Sequence, residues 1–523
     1  MKINTMTFRH LSAPCKMTTP TGRRVKFNKA KKVEQQCCEI QEEFYERAIQ
    51  LEEQAERWVL SDVVKSLRFY SQAYIAYEQG LCARDATDNG TYNILYNQSR
   101  MLLKVFCEYR AADDYIDLLR YVNMDTVPEA SNVLLPLPAI VAKFESAVAR
   151  FPEKCGWDLY FNLLTCFLLY LEAVDNVAEF EASYARFEAT AYVLLQHMQR
   201  EIESLERRPS EEALSPPADQ PMEVSTGSLA TEVVEMMDSA SPQDLLDSLV
   251  LIYRVVQFAL EAALDGTRFG SPDPAFRDRL VLCASRLRSN VENAYNFACG
   301  LAGADTQELR LGRHALECLD ALLSGDLARF ETLLQSAAPT DIDAQLHNVD
   351  LLETATTSVQ DMDTLWKLCG VLDRTLRTCQ DLLTTERSRM ISTQSDLHLL
   401  SRTVFRLCDV LTRRADNEVH RLFIQKQGAA ETQTLRILYK NARTLLANSV
   451  AYAQKSCGFR EYVTDKLKRN YVYHQAQRRL LFFDGHGGES TEAHTAVQEV
   501  MQQHTYYCVL PSAELQAMAD TSG

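Results

Sequence analysis

The segment Ile140–Phe161 predicts two helices with a sharp break between them, and it constrains the fold more than any other part of the chain. Phe144 and Ala147 are three residues apart, so they lie on one face of a helix. Pro152 cannot continue that helix, because proline lacks the backbone N–H and its ring clashes with the preceding turn. Trp157 then opens a new apolar run, so we expect a second helix to begin there.

The rest of the chain also has a helical pattern. Almost no segment alternates polar and apolar residues with the period of two that is typical of a half-buried strand. The 523 residues include only 18 Gly and 15 Pro, so turns are few. Long stretches of Leu, Ala, Glu, Gln and Arg favour helices, and together these features predict an all-α fold.

Individual helices can be predicted from the spacing of apolar residues and from caps and breakers. The helical pattern begins at about Lys31 and includes Phe44 and Trp58. The further predicted helices are Val63–Gly80, Tyr92–Tyr109, Ala111–Val122, Ala139–Phe151, Trp157–Val174, Ala178–Leu205, Leu245–Leu264, Phe276–Leu301, Gln307–Leu323, Leu327–Ala337, Asp341–Gln360, Asp361–Arg387, Ser395–Ile424, Glu431–Ser456 and Tyr462–Phe483.

Small and aromatic residues in the first half have a spacing that resembles tetratricopeptide repeats (TPRs). Ser66, Tyr70 and Ala73 reproduce the small–aromatic–small spacing of the second helix of such a repeat. The order of residues in Ile140–Phe161 resembles the junction between two repeats. Ser66 and the comparable Ala111 are 45 residues apart, longer than the family period of about 34, so regular tandem repeats are absent.

This resemblance covers residues 40–205, with weaker similarity at residues 307–339. It implies an irregular TPR-like α-solenoid of antiparallel helix pairs, whose exposed face would hold a peptide or a partner subunit. An ordinary helical bundle or another α-solenoid remains an alternative, because any helix pair places small and aromatic residues where it crosses.

Changes in composition divide the chain into five segments. Residues 1–32 form a predicted disordered basic tail, and residues 33–206 form the TPR-like helical region. Residues 207–243 are acidic, rich in Pro and Ser and without aromatic residues, so we expect a disordered linker. Residues 244–484 are a second helical region, and residues 485–523 are a loop and a weakly structured tail. The two helical regions form either one solenoid or two bodies joined by the linker.

No arrangement typical of a catalytic, cofactor or metal site is visible. The sequence has no Cys-x-x-Cys pattern and no two His at a spacing of four. The Gly-rich loop Asp484–Ser490 follows a predicted helix and lacks the Gly-Lys-Ser/Thr of a phosphate-binding loop. We therefore expect no enzyme activity and no cofactor. The 15 Cys accompany no visible secretory signal, which favours reduced thiols packed in apolar cores.

Two basic segments are candidate contact sites. In the C-terminal helix, basic residues interleave with tyrosines, as in a face that binds RNA or an acidic peptide. The candidate contacts in this helix are Lys466, Lys468, Arg469, Tyr471, Arg478 and Arg479. The N-terminal segment has the composition of a nuclear import signal, with Arg23, Arg24, Lys26, Lys29, Lys31 and Lys32. For both segments the alternative is an ordinary solvated face.

The net charge of −16 and the lack of catalytic motifs favour a protein-binding function. We expect a non-catalytic helical-repeat scaffold or adaptor, such as a dedicated chaperone or complex subunit for a basic nuclear or ribosomal client. The alternative is an RNA-associated protein that uses the C-terminal basic helix. The apolar runs are shorter than the roughly 18 residues of a membrane span, so we expect no membrane partner and a cytoplasmic and/or nuclear location.

Overall fold

The computed structural model describes residues 38–110, 116–207, 241–265, 269, 274–299, 307–336, 338–427, 432–455, 457, 461–483 and 491–510. Several sequence-based predictions lie outside these residues. They are the basic tail at residues 1–32, most of the linker at residues 207–243, the Gly-rich loop at residues 484–490 and the tail from residue 511.

Within the described ranges the chain forms sixteen α-helices and no β-strand, which confirms the predicted all-α class. The helices are α1 (Gln41–Trp58), α2 (Val63–Leu81), α3 (Asp88–Tyr109), α4 (Leu137–Arg150), α5 (Trp157–Ala173), α6 (Val177–Arg207), α7 (Pro242–Leu264), α8 (Pro274–Cys299), α9 (Gln307–Leu323), α10 (Leu327–Ser336), α11 (Ile342–Ser358), α12 (Met362–Thr393), α13 (Leu400–Gln427), α14 (Thr432–Gln454), α15 (Val463–Leu480) and α16 (Thr491–Gln503). Consecutive helices pack on each other as pairs and form an α-solenoid.

Helices α1 and α2 form the first antiparallel pair. Asp62 is the N-cap of α2, because its side chain accepts a hydrogen bond from the backbone N–H of Lys65 at 2.9 Å. Ser66 Oγ donates to the carbonyl oxygen of Ala55 in α1 at 2.8 Å. Tyr70, one turn further along α2, is fully buried. The small–aromatic spacing in this segment therefore lies on the face of α2 that packs against its neighbours.

Helices α4 and α5 form the junction that residues 140–161 predict. α4 ends at Arg150, just before Pro152, and α5 begins at Trp157, so the predicted ends are correct to within two residues. Phe144 is fully buried and Trp157 is 7% exposed. Both belong to the apolar core, in a part of the molecule where α3, α4 and α5 pack on one another.

The predicted helix over residues 111–122 is wrong in its second half. Residues 118–121 form a short 3-10 turn, in which the Asp117 side chain accepts a hydrogen bond from the backbone N–H of Leu119 at 3.1 Å. A side-chain acceptor of this kind competes with the regular helical pattern. Residues 111–115 lie outside the described part of the chain. Helix α3 consequently pairs with α4 instead of with a helix that follows it directly.

Helix pairs stack in chain order on both sides of residues 208–240. Helix α5 contacts α7, α7 contacts α9, and α6 contacts α8. Arg279 of α8 lies 2.6 Å from Glu181 of α6, and Arg286 lies 3.5 Å from Glu188. These two ion pairs keep the same order along both helices, so α6 and α8 run parallel, as equivalent helices of successive pairs do. The solenoid therefore continues from the first helical region into the second.

Helix α13 is the centre of the C-terminal bundle, where it packs on α12, α14 and α15. Its charged side chains are paired across helices. Arg413 Nη2 lies 2.6 Å from Asp350 Oδ1 of α11, and Arg414 Nη2 lies 3.4 Å from Asp373 Oδ1 of α12. A helix that is buried on most sides must satisfy its polar groups inside the protein, which explains these pairs.

The two ends of the solenoid meet at α15. The backbone N–H of Val463, at the start of α15, donates to the carbonyl oxygen of Leu60 in the α1–α2 turn at 2.9 Å. The ring of His474 stacks on Tyr121, with 6.0 Å between ring centroids and 17° between ring planes. Helix α15 is therefore in contact with the first helix pair as well as with the C-terminal bundle.

Candidate partner-binding surface

The predicted basic face belongs to α15, and packing divides its cations between two sides. Arg469, Val472, Ala476 and Arg479 follow at steps of three, four and three residues, so they share one face of the helix. All four are at most 5% exposed. The prediction that Arg469 and Arg479 contact a partner is therefore corrected, because both side chains lie inside the protein.

Arg469 connects α15 to the end of α14. Its Nε and Nη2 donate to the two carboxylate oxygens of Glu461 at 2.5 and 2.8 Å. Its Nη1 donates to the carbonyl oxygens of Ala453 and Lys455, where the last turn of α14 leaves acceptors unpaired. Ser401 Oγ also donates to Glu461, at 2.6 Å, so Glu461 is held from two helices. The charge of Arg469 thus stabilises a helix junction.

Arg479 makes a two-pronged ion pair with Asp416 of α13. Its Nε donates to Asp416 Oδ1 at 2.8 Å and its Nη2 donates to Oδ2 at 3.0 Å. The hydroxyl of Tyr507 also donates to Oδ1, at 2.6 Å. Burial alone raises the pKa of Asp416, but Arg479 and Tyr507 outweigh it and leave that pKa below its usual value. The pair joins α13, α15 and the C-terminal turn at residues 505–509.

His504 completes this cluster as a neutral imidazole. Arg479 Nη2 donates to His504 Nε2 at 2.9 Å, so the ring proton is on Nδ1, which lies 2.9 Å from the Tyr506 hydroxyl. Burial lowers the pKa of His504 to about 4, and the adjacent Arg479 adds to this effect, whereas Asp416 opposes it. The His504 cluster is therefore a fixed internal contact that holds the C-terminal turn on α13.

The other four predicted contacts of α15 differ in accessibility. Lys466 is exposed, whereas Lys468 and Tyr471 are partly buried. Arg478 Nη1 lies 2.6 Å from Glu499 Oε2 of α16. The surface that α15 offers to a partner is therefore smaller and less basic than the sequence pattern indicates.

Polar residues of the first half are also paired with each other. Glu52 of α1 is 4% exposed, receives a hydrogen bond from the Tyr77 hydroxyl and lies 3.2 Å from Arg100 of α3. Burial raises the pKa of Glu52, although Arg100 and Tyr77 oppose the shift. Asn97 donates to the Tyr45 hydroxyl at 3.0 Å. These groups stabilise the packing of α1, α2 and α3.

Glu108 of α3 should make the stability of the protein depend on pH. Burial raises its pKa from 4.5 to about 7, and Glu56 adds to this shift while Lys104 opposes it. Its buried Oε2 has no hydrogen-bond partner among the described residues. Between these two pKa values the folded state keeps a proton that the unfolded state loses, so the free energy of unfolding falls as the pH rises.

In the parent protein, the free energy of unfolding should fall as the pH rises from 5 to 7.5. Glu108→Gln should make this fall smaller by on the order of 2 kcal/mol, as measured by urea unfolding. Glutamine resembles the protonated carboxyl at every pH. Glu53→Gln is the matched control, since the Glu53 side chain is 61% exposed. An unchanged pH profile for Glu108→Gln would contradict the assignment.

Buried thiols pack as apolar groups. Cys318, Cys369 and Cys408 are fully buried, and burial raises the pKa of each thiol to about 12, so all three are protonated at neutral pH. Across the described ranges, no group of three or more His, Cys, Asp and Glu side chains could hold a metal ion. None of the helices in those ranges has the length and apolar character needed to cross a membrane.

The structure also reveals a basic surface that the sequence analysis missed. Helix α14 exposes Arg436, Lys440 and Arg443 on its outer side. The signal in the sequence is the absence of Asp and Glu from residues 432–460, in a chain that is acidic overall. The basic contact face was predicted in α15 because tyrosines interleave with its basic residues. The longer stretch without acidic residues lies in α14.

Comparison with known proteins places this architecture in a family. Residues 335–511, which include α11 to α16 and the Asp416–Arg479 pair, match the family described as the YNL193W C-terminal domain. The chain is 34% identical over 513 residues to "Uncharacterized protein YNL193W" of Saccharomyces cerevisiae, across 87% of this chain and 92% of the yeast protein. No solved structure matches the chain. Because the similarity covers nearly the full length of both proteins, the chain belongs to the same family as yeast YNL193W.

Proposed function

We propose that this chain is a non-catalytic helical-repeat scaffold or adaptor that binds a protein partner. The observation that carries the proposal is the continuous stacking of helix pairs around one large apolar core, which extends from Ala48 to Leu510. Stacked helix pairs expose one long surface, and proteins built in this way use that surface to hold peptides or subunits. The stacked pairs α5/α6, α7/α8 and α9/α10 support a TPR-like description of the array.

The interior charges support a rigid array. The buried carboxylates of Glu52, Asp350 and Asp416 each lie against an arginine of another helix. Such pairs fix the geometry between helices, because a buried charge without its partner is costly. The remaining exposed surface is available for contacts, and the net charge of −16 favours a basic client of the nuclear or ribosomal type.

Affinity capture with the full chain as bait tests this function. We expect a protein that is recovered in stoichiometric amount at low salt and co-elutes with the chain in size-exclusion chromatography. If the partner is basic, its recovery should fall as salt screens the attraction. An unrelated protein of similar size and net charge, used as bait, controls for nonspecific capture. The absence of any stoichiometric partner at low salt would contradict the scaffold proposal.

RNA binding through α15 is the second candidate, and Lys466 and Lys468 are the residues that test it. Replacing both with Glu should weaken binding of a single-stranded RNA at least about tenfold and reduce its salt dependence, because phosphate contacts release counterions. Arg479→Glu is unsuitable for this test, since it would place two carboxylates together inside the protein. Equal RNA affinity of the parent and the double variant, measured by fluorescence anisotropy, would remove this candidate.

A further inference from the structure

Helix α14 differs in charge from the rest of the chain. Asp and Glu make up 71 of the 523 residues, yet residues 432–460 contain neither. The same stretch contains Arg436, Lys440, Arg443 and Lys455 within or directly after α14. A solvated helix normally mixes charges of both signs along its outer face, so this composition needs an explanation.

The cations of α14 form one stripe. Arg436, Lys440 and Arg443 follow at steps of four and three residues, which places them on the same side of the helix. All three are exposed. The opposite side of α14 is buried in the bundle and consists of Leu438, Tyr439, Ala442, Leu445, Leu446 and Ser449. Packing of the bundle therefore buries the side of α14 that lies opposite the cations.

Two of these cations also lack the counter-charges that cations elsewhere possess. Arg279 and Arg286 of α8 are exposed, but each is paired with a glutamate of α6. In contrast, the side chains of Arg436 and Lys440 make no hydrogen bond or ion pair with the part of the chain that the structure describes. Their charges are therefore available to groups outside this molecule.

The stripe also has an apolar component. Ile437, next to Arg436, is 49% exposed and adds a large apolar side chain to the stripe. Ala447 and Ala451 continue the same exposed side toward the end of the helix. From Arg436 to Ala451 the stripe is about 22 Å long, or roughly four helical turns. Small side chains at one end let a second helix approach closely, and the cations at the other end can pair with its carboxylates.

We propose that the outer face of α14 docks an acidic amphipathic helix of a partner protein. The proposal rests on the scaffold function above but not on the overall charge of the partner, since it concerns the charge of one segment of that partner and the surface that recognises it. The cations of α14 would pair with acidic residues of the partner helix. Ile437, Ala447 and Ala451 would contact its apolar residues. A single helix fits this narrow stripe. An extended polyanion, such as RNA or a lipid surface, would reach beyond the stripe and be repelled by the net charge of −16.

Site-specific photocrosslinking in the cells that express the full chain tests this proposal. The photoreactive p-benzoylphenylalanine replaces Ile437, or replaces Ile75 of α2 as the control, since Ile75 is similarly exposed at 47%. We expect an adduct only from position 437, and mass spectrometry should assign it to a protein segment with Asp or Glu at helical spacing. No adduct above the control, or an adduct with RNA, with lipid, with a second copy of this chain or with a segment that lacks acidic residues, would overturn the proposal.

Charge reversal separates this surface from the scaffold function as a whole. Arg436→Glu with Lys440→Glu should reduce the adduct and the affinity for the captured partner at least about tenfold. Lys367→Glu with Arg374→Glu makes the same change of charge on the exposed side of α12 and should leave both unchanged. If the α14 variant captures its partner like the parent protein, the α14 proposal falls and the scaffold function stands. If the parent captures no partner, the scaffold function falls.

Discussion

Asp416→Asn should lower the free energy of unfolding by about 3–5 kcal/mol, the largest effect that we expect from a polar substitution. The change keeps the shape of the side chain and removes its charge. Arg479 would then remain buried as a cation without its counter-charge, and the Tyr507 hydroxyl would lose a charged acceptor. Guanidinium unfolding followed by far-UV circular dichroism measures the loss.

Two further variants determine whether the ion pair causes that effect. Asp381→Asn removes an exposed carboxylate of α12 and should change stability by no more than about 0.5 kcal/mol. The double variant Asp416→Leu with Arg479→Met removes both charges and should be less destabilised than Asp416→Asn alone. The single variants Asp416→Leu and Arg479→Met give the reference values. If the double variant loses as much free energy of unfolding as these two losses added together, the pairing is contradicted.

Trp157→Ala should cost about 3–5 kcal/mol of stability, because it leaves a large cavity at the junction of α4 and α5. The Trp157 side chain is 7% exposed, and its ring lies 6.5 Å from that of Phe161 in an edge-on arrangement. Unfolding in denaturant measures the loss, and the same m-value in both proteins would show that the extent of unfolding is unchanged.

Trp58→Ala is the matched control for this substitution. Trp58 ends α1, is 36% exposed and has the Lys65 ammonium 3.4 Å from its ring centroid. A partly exposed ring leaves no sealed cavity, so we expect a loss below about 1.5 kcal/mol. Equal losses for the two tryptophans would contradict the core role assigned to Trp157.

Most helices were predictable because their signals are local. Pro152 and Trp157 define the break between α4 and α5 within a few residues of sequence. Ser241 likewise marks the start of α7, where its side chain and that of Asp244 cap each other's backbone N–H. The helix expected over residues 111–122 failed because the Asp117 side chain favours a tight turn, and propensity alone does not reveal that competition.

The contact surface was harder to predict, because burial depends on residues that are distant in sequence. Arg479 is paired with Asp416, 63 residues earlier in the chain, and no local pattern identifies that carboxylate. One signal was present, since Arg469 and Arg479 share the face of α15 that carries Val472 and Ala476. A cation on the apolar face of a helix is therefore a sign of an internal ion pair, and not only of a binding site.

The contact between α15 and the first helix pair determines when the N-terminal helices can complete their packing during synthesis. Leu60 and Tyr121 leave the ribosome long before Val463 and His474 have been synthesised. The edge of the N-terminal helices therefore stays open to water and to other chains throughout translation, and it closes only when the protein is nearly complete. Cleavage near Leu60 by a protease added to stalled nascent chains would report that closure directly.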